Sequence, residues 1–349
     1  MKITDKYMSR CLELARLGMG EVAPNPMVGA VIVHDGKIIG EGFHREFGGA
    51  HAEVHAINSV VNKELLKEAI LYVSLEPCAH YGKTPPCSDL IISSQIPAVV
   101  VGSVDPFAQV AGKGIEKMRQ AGIEVEIGVL ERECLELNRR FFTFHQQKRP
   151  YVILKWAQTL DGYLDVDRSY PELYGKPTWI SNELSRRIVH RQRTEEAAIL
   201  IGTRTILKDN PSLTVREWTG KQPVRLVLDR QNRLPDHLHV KDGSVPTVIF
   251  TEETIPSQEN LEFVRMDFHG DLIAQISRFL YERELQSVIV EGGQRLLQSF
   301  IDQEAWDEAC VYIGHCWFGK GVRAPQFNCQ PSESELLNDT QLQVFYRNM

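Results

Sequence analysis

The sequence predicts an α/β protein of two domains, and three observations carry that prediction. Hydrophobic residues make up 43% and charged residues 24% of 349, the balance of a folded globular chain rather than a disordered or collagen-like one. That length exceeds the usual size of a single domain. In both halves, apolar stretches of strand period alternate with stretches of helical period, and a polar stretch ending in proline, HQQKRP over 145–150, lies between the halves.

The opening MKITDKYMSRCLELARLGM carries charges throughout and has no uninterrupted apolar core, so it reads as an amphipathic helix and not as a secretory signal. Residues 30–43 then read as strand, 51–63 as helix and 69–75 as strand, and a helix starts near Ser88. A strand over 97–104, a helix over 112–122, a strand over 123–129 and a helix over 131–145 complete the first half. Pro150 cannot continue a helix and pushes its predecessor toward extended backbone, which gives domains over 1–146 and 150–349. The second half restarts with a strand over 151–157, a polar stretch to about 177 and a helix over 181–193. Strands over 197–202, 223–229, 247–251 and 287–293, with helices between several of them, predict a mostly parallel sheet. No internal repeat or low-complexity tract is visible.

A formal charge of −7 and a pI near 5.9 lack the basic footprint that drives non-specific nucleic-acid binding, which weighs against a polynucleotide substrate. No run of about 18 apolar residues is present, so membrane insertion is not expected. Seven cysteines, scattered and odd in number, suit a reducing cytosol better than a disulfide framework, and a cytoplasmic location is expected. Cys11, Cys134, Cys310, Cys316 and Cys329 read as small hydrophobes. Cys78 and Cys87 stand apart.

The clearest chemistry lies in His51-Ala52-Glu53, followed after a strand by Pro77-Cys78 and then Pro86-Cys87. Catalytic zinc is held by three protein donors with a fourth position open to water, and one imidazole with two thiolates is such a set. A strand returns the chain from the helix of His51 to Cys78, and Cys87 opens the next predicted helix, where the positive dipole end favours a thiolate. Glu53 lies two residues after His51 and can aim its carboxylate at the site without coordinating. A carboxylate so placed takes a proton from activated water and delivers it to a ring nitrogen and then to a leaving amine. The order matches the H-x-E…P-C-x-x-C arrangement already known in nucleobase deaminases, except that eight residues, AHYGKTPP, separate the cysteines. A structural zinc site is the competing reading; it would want a fourth protein ligand, for which His44 and His80 are candidates. His55, one turn after His51, reads as a core or supporting residue.

Three strings, PNPMVGAVIV (24–33), GFHREFGGAHAEVHA (42–56) and SLEPCAHYGKTPPC (74–87), together resemble the deaminase half of the bifunctional riboflavin-biosynthesis deaminase–reductase family. The long cysteine loop is that family's own form of the motif. The resemblance implies a cytidine-deaminase-like three-layer domain in which His51, Cys78 and Cys87 hold Zn2+, Glu53 is the proton shuttle and Asn25 lies at the pyrimidine. It also implies that water replaces the 2-amino group of a 2,5-diamino-6-(phosphoribosylamino)pyrimidinone. By itself the PNP tripeptide only marks a turn.

In the second half LKWAQTLDG (154–162), TWISN (178–182), GTRTILKDNPSLTVR (202–216) and VEGG (290–293) stand out, although each also reads as turn and strand punctuation. A glycine pair between strand and helix lets backbone amides approach a phosphate, but the full G-x-G-x-x-G fingerprint is absent. In this order the four segments resemble the reductase half of the same family, whose fold is dihydrofolate-reductase-like, so the resemblance covers nearly the whole chain. It implies that NADPH opens the ribose to a ribityl chain by hydride delivery to the anomeric carbon, with the protein positioning the cofactor. It implies further that Ala157, Trp179, Thr205, Asp209 and the Gly293 loop contact NADPH, and that Arg193, Leu213, Arg216 and Glu291 contact the substrate. Arginine suits a phosphate ester because its planar fork makes paired charged hydrogen bonds; Arg193, in an Arg-rich helix, also reads as part of a solvated face. Lys155 and Asp161 read equally as structural or functional. The chain departs from the family at Pro177 and Arg230, where relatives have Ser, and in a longer 163–178 stretch.

Two other readings stay open. One is a nucleoside or RNA base deaminase with an accessory nucleotide-binding domain, its RNA form disfavoured by the acidic charge. The other is a non-catalytic, zinc-stabilised binding module, which would have no use for the free carboxylate of Glu53. The expected partner is a small pyrimidine ribonucleotide, with no nucleic acid and no membrane. A homo-oligomer is compatible with the sequence, which leaves oligomeric state and coupling between the two sites open.

Overall fold

Asp35 and Gly36 both take positive φ, 49° and 71°, as a two-residue type I′ turn requires. The stretch 30–43, read as one strand, therefore folds back on itself as β1 (Gly29–His34) and β2 (Lys37–Phe43). The computed structural model of the chain describes residues 3–79, 85–106, 112–168, 174–175 and 178–347; His80 and Pro177 lie outside them. The chain falls into two compact units, Met1–Lys148 and Arg149–Met349.

In the first unit the chain runs α1 (Ile3–Arg16), β1, β2, α2 (Ala52–Ser59), β3 (Ile70–Leu75), α3 (Cys87–Ser93), β4 (Ala98–Ser103), α4 (Lys113–Gln120), β5 (Glu124–Ile127), α5 (Glu131–Leu137) and α6 (Arg139–Gln147). Five strands form one sheet in the order β2-β1-β3-β4-β5, with β1 antiparallel to both neighbours and β3, β4 and β5 parallel. Strand alternation sends Ile32, Leu71, Val73, Val99 and Val101 to a face covered by α2, α3 and α4, and Val31, Val33, Tyr72 and Val100 to a face covered by α1 and α5. This is a three-layer α/β arrangement. The helix read over 131–145 breaks at Asn138, because its side chain bonds both the N–H and the C=O of Met27 at 2.8 Å and leaves the helical path. The helix read over 51–63 stops at Ser59, and a 3-10 turn over Lys63–Glu68 follows, with Asn62 capping it through the Glu64 N–H. Lys148, at φ 53°, ends α6 in a left-handed C-cap, two residues before Pro150.

The second unit begins with β6 (Tyr151–Thr159) and β7 (Tyr163–Asp165), followed by α7 (Glu183–Glu195), β8 (Ala198–Gly202), α8 (Thr203–Asp209) and β9 (Val224–Leu228). Then come β10 (Thr247–Thr251), β11 (Leu261–Arg265), α9 (Leu272–Glu282), β12 (Ser287–Glu291), α10 (Gln294–Asp302), β13 (Glu308–Gly314), β14 (Val322–Arg323), β15 (Glu333–Leu337) and β16 (Thr340–Tyr346). A nine-stranded sheet has the order β11-β10-β9-β8-β12-β6-β13-β16-β15. It is parallel from β11 to β13, and β16 and β15 run antiparallel beyond. Parallel strands are buried on both faces: Leu154, Leu200, Leu226, Phe250 and Val290 pack under α9 and α10, and Ile153, Ile199, Val227, Ile249 and Ile289 pack on the face that receives Val189 of α7. Among the described residues no helix is long and apolar enough to cross a membrane.

Candidate functional site

His51 is the N-cap of α2, with extended backbone; Cys78 follows the end of β3, and Cys87 is the first residue of α3. His51 Nδ1 lies 3.3 Å from Cys87 Sγ and 3.6 Å from Cys78 Sγ, and the three donor atoms all lie within 4.8 Å of one another. Tetrahedral zinc with Zn–S of about 2.3 Å and Zn–N of about 2.0 Å puts sulfur and nitrogen about 3.5 Å apart, so this spacing fits the ion. Hydrogen bonding from Cys87 brings the Cys78 thiol down to about 4 against the effect of burial, while the same contact pushes the Cys87 thiol up. The Cys87 backbone N–H also points at Cys78 Sγ, at 3.3 Å. Hydrogen bonding to Cys78 raises the His51 imidazole to about 8 although burial opposes it.

Glu53 sits in the first turn of α2 and is 3% exposed. Burial pushes its carboxyl up to about 7, even with the His51 charge pulling the other way. His44 is removed as a fourth ligand. Its Nδ1 meets the carbonyl oxygen of Ala50 at 3.0 Å and its Nε2 meets Asn25 Nδ2 at 3.0 Å, so both ring nitrogens are engaged, and its ring stands edge-on to His51 at 5.5 Å. Asn25 is thus one imidazole away from the metal donors. Behind them is a residue that sequence reasoning passed over. Glu76, at the end of β3 and 4% exposed, accepts backbone N–H bonds from Gly112 and Gly114 at 2.9 Å and from Asp105 and Ile115 at 3.3 Å. It ties the start of α4 to the segment that carries Cys78; the Glu-Pro-Cys string was the available signal. Gly114 is required there, since a Cβ would lie 1.9 Å from the Pro77 carbonyl oxygen.

In the second unit the parallel register sets Lys155 of β6 opposite Glu291 of β12. Glu291 is gripped by Arg193 from α7, with Nη2 2.9 Å from Oε2 and Nε 3.3 Å from Oε1, and Lys155 Nζ lies 3.7 Å from Oε1. Arg193 is therefore a buried ion-pair partner and not part of a solvated face. Burial would raise the Glu291 carboxyl, but Arg193 and Lys155 bring it down to about 2, and burial lowers the Lys155 ammonium. Arg193 Nη1 also holds the Thr214 carbonyl oxygen at 3.1 Å, which draws the loop of Arg216 to this cluster. The Leu213 side chain is buried in the core and its backbone is left-handed, φ 57°, so only its main chain is available to a ligand. Asp161 accepts N–H bonds from Phe318 and Gly319 and a hydroxyl bond from Thr159, which is a turn-fixing role.

Thr205 and Asp209 lie one turn apart on α8. Gly292 and Gly293, both at φ 70°, lead from β12 into α10, and a Cβ on them would meet the Thr205 side chain at 2.9 and 3.0 Å. Thr205 and the glycine pair are therefore brought together beside a helix N-terminus, whose free N–H groups suit a phosphate. Asp209 is engaged by Arg168 at 2.6 Å. Ala157 lies farther along β6, opposite Tyr312, and Trp179 is exposed under the guanidinium of Arg186 at 4.6 Å. Arg230 pairs with Glu252 at 2.8 Å.

Comparison with known proteins bears on both units. Residues 1–103 match the family described as the cytidine and deoxycytidylate deaminase zinc-binding region, and residues 150–345 match the RibD C-terminal domain. The riboflavin biosynthesis protein RibD of Aquifex aeolicus is 42% identical over 340 residues, covering 96% of this chain and 93% of its own. That of Escherichia coli is 37% identical over 338 residues, covering 91% and 89%. The solved structure of a Thermotoga maritima diaminohydroxyphosphoribosylaminopyrimidine deaminase/5-amino-6-(5-phosphoribosylamino)uracil reductase is similar over 99% of this chain and 98% of its own, with a TM-score of 0.89 and 41% identity. A structure of RibD from Acinetobacter baumannii has a TM-score of 0.87 at 30% identity, covering 99% of both chains.

Proposed function

The chain belongs to the RibD family, a zinc-binding deaminase and a reductase of riboflavin biosynthesis joined in one polypeptide, and from that premise we propose how its own residues divide the work. Membership disposes of the nucleoside or RNA base deaminase with an accessory domain, and of the non-catalytic module, because the second half is itself a reductase domain.

The first step is hydrolysis of the 2-amino group of a 2,5-diamino-6-(phosphoribosylamino)pyrimidinone. The observation that carries this is one imidazole nitrogen within 3.6 Å of two sulfurs, with a buried carboxyl two residues along the chain. His51, Cys78 and Cys87 would hold zinc, which when bound would supply the Lewis acidity that makes water nucleophilic at neutral pH. Glu53, buried two residues from His51 and not among the donors, is placed to take a proton from water and return it to the ring nitrogen and then to the departing ammonia. Asn25, fixed by His44, orients the pyrimidine.

The second step is reduction of the ribosyl group to ribityl. Thr205, Asp209 and the Gly293 turn, together with Ala157 and Trp179, would hold NADPH, which when bound would supply the hydride. Glu291, held ionised by Arg193 and Lys155, faces the sugar, with Leu213 alongside through its main chain, and Arg216 takes the phosphate ester. The test is product analysis with the diaminopyrimidine nucleotide. Ammonia and the aminouracil nucleotide should form without NADPH, and the ribityl product only with it. Absence of ammonia in both arms would refute the first assignment.

A further inference from the structure

We infer that His190 is a positioning residue of the reductase site, holding the backbone of Arg216 so that its guanidinium stands ready for the phosphate of the substrate. The inference rests on the phosphate reading of Arg216 and extends it to a residue with no assigned role.

His190 and Arg193 lie three residues apart on the buried side of α7, and His190 is 5% exposed. The backbone N–H of Arg216 donates to His190 Nδ1 at 3.1 Å. A ring nitrogen that accepts an N–H carries a lone pair, so the imidazole is neutral with its proton on Nε2, which lies 4.0 Å from Glu217 Oε1. Burial, and then the charges of Arg193 and Arg216, hold this imidazole down to about 4, in keeping with that geometry. The segment 214–216 is clamped at every residue. Arg193 Nη1 holds the Thr214 carbonyl, Gln222 bonds both the N–H and the C=O of Val215, and His190 holds the Arg216 N–H.

What the clamp presents is a cation. Arg193 has its counter-charge in Glu291, whereas the Arg216 guanidinium donates only to Thr214 Oγ1, at 3.2 Å, and has no ion pair among the described residues. Arg216 is exposed, yet partial desolvation and then the neighbouring Arg193 charge make its own charge less favourable, with Glu217 acting the other way. An anion bound at Arg216 would relieve that, and a phosphate ester is the anion the reaction offers.

Asparagine places an oxygen where Nδ1 of histidine lies, and glutamine places its amide near Nε2, so the pair separates this role from mere filling of space. In steady-state reduction, His190→Gln should raise KM for the aminouracil nucleotide about five- to tenfold with KM for NADPH unchanged. His190→Asn should bring the nucleotide KM back to within about twofold of wild type. An unchanged nucleotide KM in His190→Gln, an equal rise in both KM values, or no rescue by Asn would overturn the inference. Competition by ribose 5-phosphate, measured in Arg216→Ala beside wild type, separates the two levels. If Arg216→Ala binds it as wild type does, the phosphate reading itself fails; if Arg216→Ala weakens it and His190→Gln does not, only the role of His190 fails.

Discussion

Arg168 reaches across to α8 and places Nη1 2.6 Å from Oδ1 of Asp209, while its Nε side pairs with Asp165 at 2.9 Å. The Arg168 side chain is 4% exposed, and its guanidinium also holds the Lys208 carbonyl oxygen. It comes from the 163–178 stretch between β6 and α7, and it lands on a residue proposed to touch NADPH. Burial raises the Asp209 carboxyl, and Arg168 opposes that rise.

Removing the guanidinium should therefore cost twice. Arg168→Ala leaves Asp209 without its counter-charge, and with a third of that side chain in solvent the loss should be about 1–2 kcal/mol in urea unfolding. NADPH affinity, followed by quenching of protein fluorescence, should fall in the same variant because Asp209 is no longer held. An unchanged NADPH affinity would separate Arg168 from the cofactor seat.

Glu53→Gln keeps the size of the side chain and removes its capacity to carry a proton. Ammonia release should drop by about 10²–10⁴-fold, with one zinc still bound by elemental analysis, since Glu53 is not among the donors. Chelation should abolish deamination and spare NADPH-dependent reduction of the aminouracil nucleotide. A Gln variant working at the wild-type rate would remove Glu53 from the proton path.

The deaminase centre was legible because its residues sit in short contiguous strings: His51 and Glu53 share a helix start, and each cysteine follows a proline. The parallel strands were legible for a similar reason, burial on both faces leaving unbroken apolar runs such as AILIG of β8. β15, with four of five residues exposed, leaves no such run, and β13 (EACVYIG) has one that could have been read. Contacts made between distant segments left no trace at all. The Asn138 bonds to Met27 broke a helix whose own sequence reads as continuous, and neither Arg168 on Asp209 nor Arg216 on His190 has any local pattern.

Glu76 offers a different test of the metal centre, from behind it. Its carboxylate accepts four backbone N–H groups, and a Gln amide would turn a donor toward two of them. Glu76→Gln should lower zinc affinity about tenfold or more in chelator competition, as loss of outer-shell support does. The Glu76→Asp carboxylate should restore part of it. Zinc affinity equal to wild type in the Gln variant would show that Cys78 is placed without this tie.

Acid sensitivity of the second unit should trace to Asp242. Arg225 is fully buried and donates to Thr247 Oγ1, to the carbonyls of Ser212, His239 and Val245, and to Asp242 Oδ1 at 2.8 Å. Burial would raise the Asp242 carboxyl, but bonds from Arg225 and from the N–H and hydroxyl of Ser244 outweigh it and bring the carboxyl to about 2. A folded value below the ordinary one of about 3.9 means that the pairing stabilises at any pH above about 4, and that this contribution fades as pH falls toward 2. Asp242→Asn should thus be less stable than wild type by about 1 kcal/mol at pH 7, a modest figure because Asp242 is partly exposed. The gap should close between about pH 4 and pH 2. Urea titrations across that range read it directly, and a gap that stays constant with pH would mean that the charge on Asp242 is not what holds Arg225.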